Sequence, residues 1–244
     1  MLPADIREPL RTGPAARRAV SVHPAAVLLR PTAGAALRGA MRPALKRLID
    51  LVGAGGLLLV LAVPLCAIAL LVRIDGGPAL FAHRRVGRGG RAFGCLKFRT
   101  MVPDAERRLA ALLEADPAAR AEWEATRKLR NDPRVTWIGR FRRASSLDEL
   151  PQLLNVLRGE MSLVGPRPVL ASELTSHYGP MATERYQSVR PGITGLWQVS
   201  GRSDTSYAER VALDVAYVAR PSLREDLRIL LRTPAAVVLR RGAY

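Results

Sequence analysis

Two cysteines, three histidines and an aromatic share of only 5% are the scarcities of this 244-residue chain. Cys66 and Cys95 stand far apart, one of them inside an apolar run, which excludes a disulfide framework and fits a reducing compartment. His23, His83 and His177 are scattered, so a structural zinc site has no support. With so few aromatic rings, a single-strand nucleic-acid binder would lack its stacking platforms. Acidic residues are also in deficit, 21 against 38 Lys and Arg, which leaves a formal charge of +17. An excess of that size calls for an anionic partner: nucleic acid, a membrane surface or a phosphorylated substrate. Lysine is confined to Lys46, Lys97 and Lys128, and the preference for Arg together with abundant Ala reflects genomic composition in part. No apolar h-region follows the N-terminus closely, so no secretory signal peptide is read, and no internal repeat is present.

Residues 1–41, rich in Pro, Ala, Gly and Arg, show no sustained period and are expected to form a disordered basic extension, with Met41 as an alternative start. Leu51 to Val72 is the one long apolar run, uncharged over a length that spans a bilayer as a helix; a buried core helix would be shorter. Basic residues flank it on both sides: Arg38, Arg42, Lys46 and Arg47 before, and Arg73, Arg84, Arg85, Arg88 and Arg91 after. A segment that enters and returns to the same face satisfies the positive-inside rule on both flanks. Pro64, near the middle, supplies the break, because it removes an N–H and clashes with the preceding turn. A straight single-pass helix is the alternative, since Pro is tolerated in membranes.

Downstream, the alternation of Ala79, Phe81, Val86 and Phe93 around VGRGGRAF predicts a β-hairpin. Its glycines lack the spacing of a nucleotide P-loop. Lys97 to Met101 reads as a strand end with Lys97 and Arg99 on one side and Phe98 on the other. Asp104 to Arg130 predicts two helices broken at Asp116-Pro117, with Leu109, Leu112 and Leu113 as the apolar contact of an interfacial pair. Leu170 to Arg190 is a helix pair broken at Gly179-Pro180, and Tyr207 to Tyr217 is helical. Ser222 to Leu239 is an amphipathic basic helix, suited equally to a membrane surface or a core.

The chemistry concentrates in Ser145 to Pro168. Ser146-x-x-Glu149 fits a capping box, and Leu147, Leu150, Leu154 and Leu157 fall on one helical stripe. Pro151 is tolerated only in a first turn, so Asp148 and Glu149 are expected at a helix N-terminus, where the helix dipole favours negative charge. Adjacent helical residues point about 100° apart, which lets two acids perform separate tasks. Gly165-Pro166-Arg167-Pro168 forms a rigid turn that presents a guanidinium, and Arg140, Arg142 and Arg143 precede the acids. Forked Arg donors match phosphate geometry. In Pro191 to Gly195 the glycines would permit close backbone approach to a ligand, while Trp197 by itself reads as core packing.

SLDELPQLLNVLRGEMSLVGPRP resembles the signature of the bacterial sugar transferases, the monotopic polyprenyl-phosphate phosphoglycosyl transferases. Two further blocks agree in order and spacing: Lys97-Phe98-Arg99-Thr100-Met101, and Arg190-Pro191-Gly192-Ile193-Thr194-Gly195 running on to Gln198 and Gly201-Arg202. The NDPRVT string at Asn131 to Thr136 is also similar to the family's. The resemblance covers about Lys46 to Thr233 and implies an α+β, mainly helical fold. Residues 42–75 would form a re-entrant membrane helix kinked at Pro64, and residues 76–244 a cytosolic catalytic domain with interfacial amphipathic helices. It implies an enzyme of the minimal catalytic-unit type on the cytoplasmic face of the bacterial inner membrane, without the N-terminal transmembrane bundle of larger members.

The implied reaction transfers a sugar-1-phosphate from a UDP-sugar to undecaprenyl phosphate and releases UMP. Asp148 matches the nucleophile, which forms an aspartyl phosphosugar and contacts Mg²⁺, and Glu149 matches its dyad partner. Lys97, Arg99 and Arg167 would hold phosphate, with Pro191, Gly192, Gln198 and Arg202 around the substrate. Partners are then the UDP-sugar, undecaprenyl phosphate and membrane lipid, with no nucleic acid, and self-association into a homodimer stays open. Val63 stands where many members have Ser, and Glu160 where many have Asp. Two other readings remain: a non-catalytic basic module that binds nucleic acid or anionic lipid, and a membrane phosphohydrolase that uses water as acceptor.

Overall fold

A computed structural model describes residues 33–74, 76–126, 129, 132–136, 139, 146–201 and 205–238, with the backbone alone at 33–42, 125–126 and 238. The chain begins with two helices, α1 (Ala33–Val60) and α2 (Ala62–Ile74). Helix α1 thus starts inside the stretch expected to be disordered, where Ala35, Ala36, Leu37 and Arg38 are strong helix formers. The remaining part of that extension, residues 1–32, lies outside the described residues.

The two helices meet at a 66° bend at Leu61. Leu61 N donates to Leu57 O and Leu65 N to Leu61 O, each at 2.9 Å. The bond missing between them is the one that Pro64, with no N–H, would make to Val60. The break therefore falls one turn before the proline that causes it. Among the described residues no single helix is long and apolar enough to cross a membrane, whereas the bent pair together meets that test. Leu59, Val60 and Val63 at the bend are more than three-quarters exposed, while Ala54 and Val72 are buried against the rest of the molecule.

Strands β1 (Leu80–Val86) and β2 (Ala92–Phe98) form the expected antiparallel hairpin, with Phe81 opposite Lys97 and Arg85 opposite Phe93. Gly89 and Gly90 take φ of 67° and 74° in its turn, which L side chains adopt at a cost. Helices α3 (Ala105–Ala115) and α4 (Pro117–Thr126) break at Asp116, as the sequence predicts, and Leu109, Leu112 and Leu113 are half-buried. Asp132 to Thr136 runs beside the end of the hairpin: Val102 N donates to Arg134 O, and Thr136 N to Thr100 O. Arg134 forks onto Asp132 at 2.7 and 2.8 Å and lies over the Trp123 ring.

After a 3₁₀ turn at Leu147–Glu149 come α5 (Gln152–Leu157) and β3 (Ser162–Val164). Then follow α6 (Ala171–His177), α7 (Pro180–Ser188), β4 (Gly192–Thr194) and α8 (Leu196–Ser200), with α9 (Tyr207–Ala219) and α10 (Leu223–Val238) last. Strands β3 and β4 pair in parallel. The main core gathers Ala54 of α1, Cys95 of β2, Leu153 and Val156 of α5, and Tyr217 and Ile229 around β3. A second cluster joins Val86 to Val169, Leu174, Tyr178 and Tyr186. Helix α10 contributes to the core: Asp226 and Ile229 face inward, while Leu227 and Leu231 stay exposed beside Arg224, Arg228 and Arg232. The fold is mainly helical α+β, as expected.

Candidate active site

The paired acids do not open an α-helix. Ser146 has a left-handed backbone, φ 57°, and its side chain makes no capping bond, so the capping box is absent. Pro151 has no N–H to bond Leu147 O; instead Leu150 N reaches Leu147 O at 3.4 Å in a 3₁₀ turn, and α5 begins only at Gln152. The delay rotates the helix relative to the expected stripe. Gln152, Leu153, Asn155 and Val156 are buried, whereas Leu154 is half-buried and Leu157 is exposed. Asp148, in the 3₁₀ turn, is 9% exposed, and Glu149 beside it is half-buried.

Lys97 reaches both acids. Its Nζ donates to Glu149 Oε1 at 2.6 Å and stands 3.8 Å from Asp148 Oδ2. Asn155, fully buried, sets that meeting: its Oδ1 accepts from Leu96 N at 2.9 Å, and its Nδ2 donates to Gly94 O at 2.8 Å. A helix side chain thereby takes the place of a third strand on the outer edge of β2. Glu160 accepts from Asn155 Nδ2 at 2.6 Å and buttresses it.

Arg167 arrives from the opposite side. The turn that carries it follows β3 and is held where three glycines let two backbones touch. A methyl on Gly192 would overlap Gly165 N, and one on Gly195 would overlap Gly165 O. The Pro191–Gly195 loop therefore makes a close approach to another stretch of chain. Pro191 O accepts from Ser162 N, and Gly192 N donates to Pro166 O, so both residues back the Arg167 turn from behind. The Arg167 guanidinium lies 5.3 Å over the Trp197 ring, which also carries Arg210 at 4.8 Å. Trp197 is buried, donates to Thr205 Oγ1 at 2.7 Å and gives the arginine a rigid floor.

Lys97, Glu149, Arg167 and Gln198 line one pocket together with Arg85, Cys95 and Gln152. Gln198 Oε1 is buried without a hydrogen-bond partner among the described residues. Burial pushes the Cys95 thiol up to about 11, so it presents a neutral S–H rather than a competing nucleophile. Arg85 is held by Glu173 at 3.0 Å, and Glu173 also accepts from Tyr207 at 2.8 Å. Asn155, Gln152 and Arg85 are site residues that the sequence reading did not assign. Strand alternation from Lys97 across the hairpin would have found Arg85.

Arg99 is not among the residues that line this pocket. Its backbone N carries the hairpin ladder one step further, to Ala79 O at 3.0 Å, and its Nη2 donates to Val72 O at the end of α2, 2.9 Å away. It ties the hairpin to the bent arm. Arg202, Arg140, Arg142 and Arg143 lie outside the described residues.

No group of three or more His, Cys, Asp or Glu side chains forms a metal cage among the described residues. Mg²⁺ characteristically takes one or two carboxylates plus substrate phosphate and water, and Asp148 with Glu149 fits that mode.

A family model described as bacterial sugar transferase matches residues 41–240. An Erwinia amylovora protein named UDP-galactose-lipid carrier transferase is 52% identical over 200 residues, covering 82% of this chain and 42% of that protein. The undecaprenyl-phosphate galactose phosphotransferase of Salmonella typhimurium is 50% identical over 202 residues, again 82% of this chain and 42% of the relative. The exopolysaccharide production protein ExoY of Rhizobium meliloti is 50% identical over 210 residues, 84% of this chain and 92% of its own length. The chain thus spans less than half of the first two relatives and nearly all of the third. The matched stretch contains every side chain of the pocket, and the chain belongs to the bacterial sugar transferase family.

Proposed function

We propose that this chain transfers a sugar-1-phosphate from a UDP-sugar to undecaprenyl phosphate, releasing UMP, at the start of an exopolysaccharide, capsule or O-antigen. The observation that carries this reading is one ammonium, Lys97, poised over two adjacent carboxylates with Arg167 on the same pocket. Relatives whose names describe UDP-galactose-lipid carrier and undecaprenyl-phosphate transfer support the substrate class.

In the first half-reaction an Asp148 carboxylate oxygen attacks the sugar-bearing phosphorus. The new P–O bond replaces the bond to the bridging oxygen, which leaves with UMP. In the second, a phosphate oxygen of the lipid attacks the same phosphorus, the Asp148–phosphorus bond breaks, and the carboxylate is restored. Two displacements of moderate difficulty thus replace one hard one. Lys97 and Arg167 counter the charge of the diphosphate, Arg167 through its fork. Glu149, bound to Lys97, orients that ammonium and is the group within reach of the incoming lipid phosphate. Mg²⁺ held by Asp148 would supply further neutralisation of the diphosphate. The bent α1–α2 pair serves as a re-entrant arm that seats the pocket at headgroup level on the cytoplasmic face, where lipid phosphate and soluble nucleotide sugar both reach it.

The test is UMP release from a panel of UDP-sugars in nanodiscs with Mg²⁺ and undecaprenyl phosphate. We expect lipid-dependent release with one sugar, and a loss of roughly a thousandfold or more in Asp148→Asn. Release without lipid would identify a hydrolase. No release from folded protein would return the chain to a basic membrane-binding module.

A further inference from the structure

Strand β3 has two edges. One faces β4: Ser162 N donates to Pro191 O, and Gly165 N to Thr194 O, both at 2.9 Å. The other edge, which no strand covers among the described residues, is taken by two side chains one turn apart on α1. Asp50 Oδ1 accepts from Leu163 N at 2.9 Å and lies 2.9 Å from the Ser162 hydroxyl. Lys46 Nζ donates to Val164 O at 3.0 Å and to Asp226 Oδ2 at 2.9 Å. Asp226 is in turn held by Tyr217 at 2.7 Å. Both carboxylates are buried: Asp50 is 3% exposed and Asp226 8%.

These contacts end one residue before Gly165, and Arg167 follows two residues later. Leu163 and Val164 belong to the main apolar core, but on the side of α10 that packing is incomplete. Between α1 and α10, beside the same four residues Lys46, Asp50, Leu163 and Val164, lies a cavity of about 310 Å³. A void contributes no contacts that could hold an element in place. On that side the directional contacts come from Asp50 and Lys46, with Tyr217 also donating to Val164 O at 3.1 Å.

We propose that Asp50 and Lys46 are positioning residues for the transfer reaction: through the outer edge of β3 they set where the Arg167 guanidinium stands over the pocket. The arm that seats the protein on the bilayer and the turn that grips phosphate are then one mechanical unit. A strand held at both edges cannot slide or rotate without breaking ionic hydrogen bonds, and a displacement of about 1 Å at a substrate-binding group costs roughly a hundredfold in rate.

The kinetic part of the test rests on the phosphoglycosyl transfer reading; hydrogen exchange does not. In full-length protein in nanodiscs, Asp50→Leu is expected to lower kcat roughly tenfold to a hundredfold. Asp50→Asn, which keeps the acceptor for Leu163 N, should recover most of it. The deciding comparison is a double-mutant cycle: in an Arg167→Ala background, Asp50→Leu should cost nothing further, because the group it positions is gone. A purely structural role would cost the same in both backgrounds and would overturn the proposal. So would full activity in Asp50→Leu. Amide exchange over Leu163 to Arg167 should also rise in Asp50→Leu, and unchanged protection there refutes the proposal whatever the fate of the enzymatic reading. Lys46→Met, which leaves Asp50 in place, carries the same tests if Asp50→Leu does not fold. A wild type without transferase activity would sink the proposed function and leave exchange to decide this one.

Discussion

The two small sheets of this molecule solve one problem with different chemistry. Each has two strands, each leaves an outer edge open, and each carries a charged side chain into the pocket: Lys97 on β2, and Arg167 just after β3. The edge of β2 is closed by Asn155, a neutral amide that supplies both an acceptor and a donor. The edge of β3 is closed by Asp50 and Lys46, an acceptor and a donor from two separate ionic groups on the arm. The hairpin is local, its strands joined by a short turn, so its edge needs only one small partner. Strands β3 and β4 are parallel and separated by two helices, so their pairing needs a long crossover and a framework brought in from elsewhere. Position in the chain decides how much of the molecule must be complete before the cation can be placed.

The harshest way to break this comparison is Gly192→Ala. The added methyl would overlap Gly165 N in the interior, with backbone rather than a flexible side chain on the other side. We expect a loss of more than about 4 kcal/mol or failure to fold, read from the denaturant midpoint in detergent. An equally stable variant would show that the two segments slide past each other freely. Next comes Asn155→Leu. It strands Leu96 N, Gly94 O and a Glu160 oxygen together, and it should cost about 2–4 kcal/mol with displacement of Lys97 from Glu149. Crosslinking or structure determination of the variant would show whether the ammonium has moved.

The same contrast explains what could be read from the sequence. The hairpin, the break at Asp116-Pro117 and the kink owed to Pro64 were legible because each depends on residues within a few positions of one another. Ser146-x-x-Glu149 fits a capping box in sequence, but Pro151 denies the backbone bond that would start a helix there, and the buried face of α5 shifts with it. The Pro191 to Gly195 glycines were correctly seen as sites of close approach. Nothing local signals that Gly165 lies across from them. Asn155 and Asp50, the two edge-closing side chains, look in sequence like ordinary polar residues in helices, and only the tertiary pairing gives them a role.

A smaller effect separates buried polar groups that close an edge from one that does not. Asp214 is buried and accepts from Tyr178 at 2.8 Å, with the Arg167 backbone N–H also near it, and its Oδ1 has no partner at hydrogen-bond geometry among the described residues. Burial raises its pKa from 3.8 to about 6, against the lowering effects of the Tyr178 bond and of Arg210. A raised folded value means that its contribution is fully present below about pH 4 and is lost as the pH rises through 6. Asp214→Asn removes the titration, so the variant should gain on the wild type by on the order of 2–3 kcal/mol between pH 4 and pH 7. Denaturation of both proteins across that range checks it, and a pH-independent difference would show that the carboxyl does not titrate there.

The gentlest change sharpens the comparison most cleanly, because it repeats the first substitution in the other sheet. Gly89, at the hairpin tip, has φ of 67° and nothing within 4 Å of where a Cβ would stand. Its requirement is purely conformational: an alanine must adopt a left-handed backbone but touches nothing. Gly89→Ala should therefore cost only about 1 kcal/mol and leave pocket chemistry unchanged, since the turn lies at the far end of the strand from Lys97. Gly192→Ala should cost several times more with no unfavourable φ at all. If the two alanines proved equally damaging, the tip would have to bear a contact as tight as the one between Gly165 and Gly192, and the local sheet would depend on the rest of the fold as heavily as the distant one.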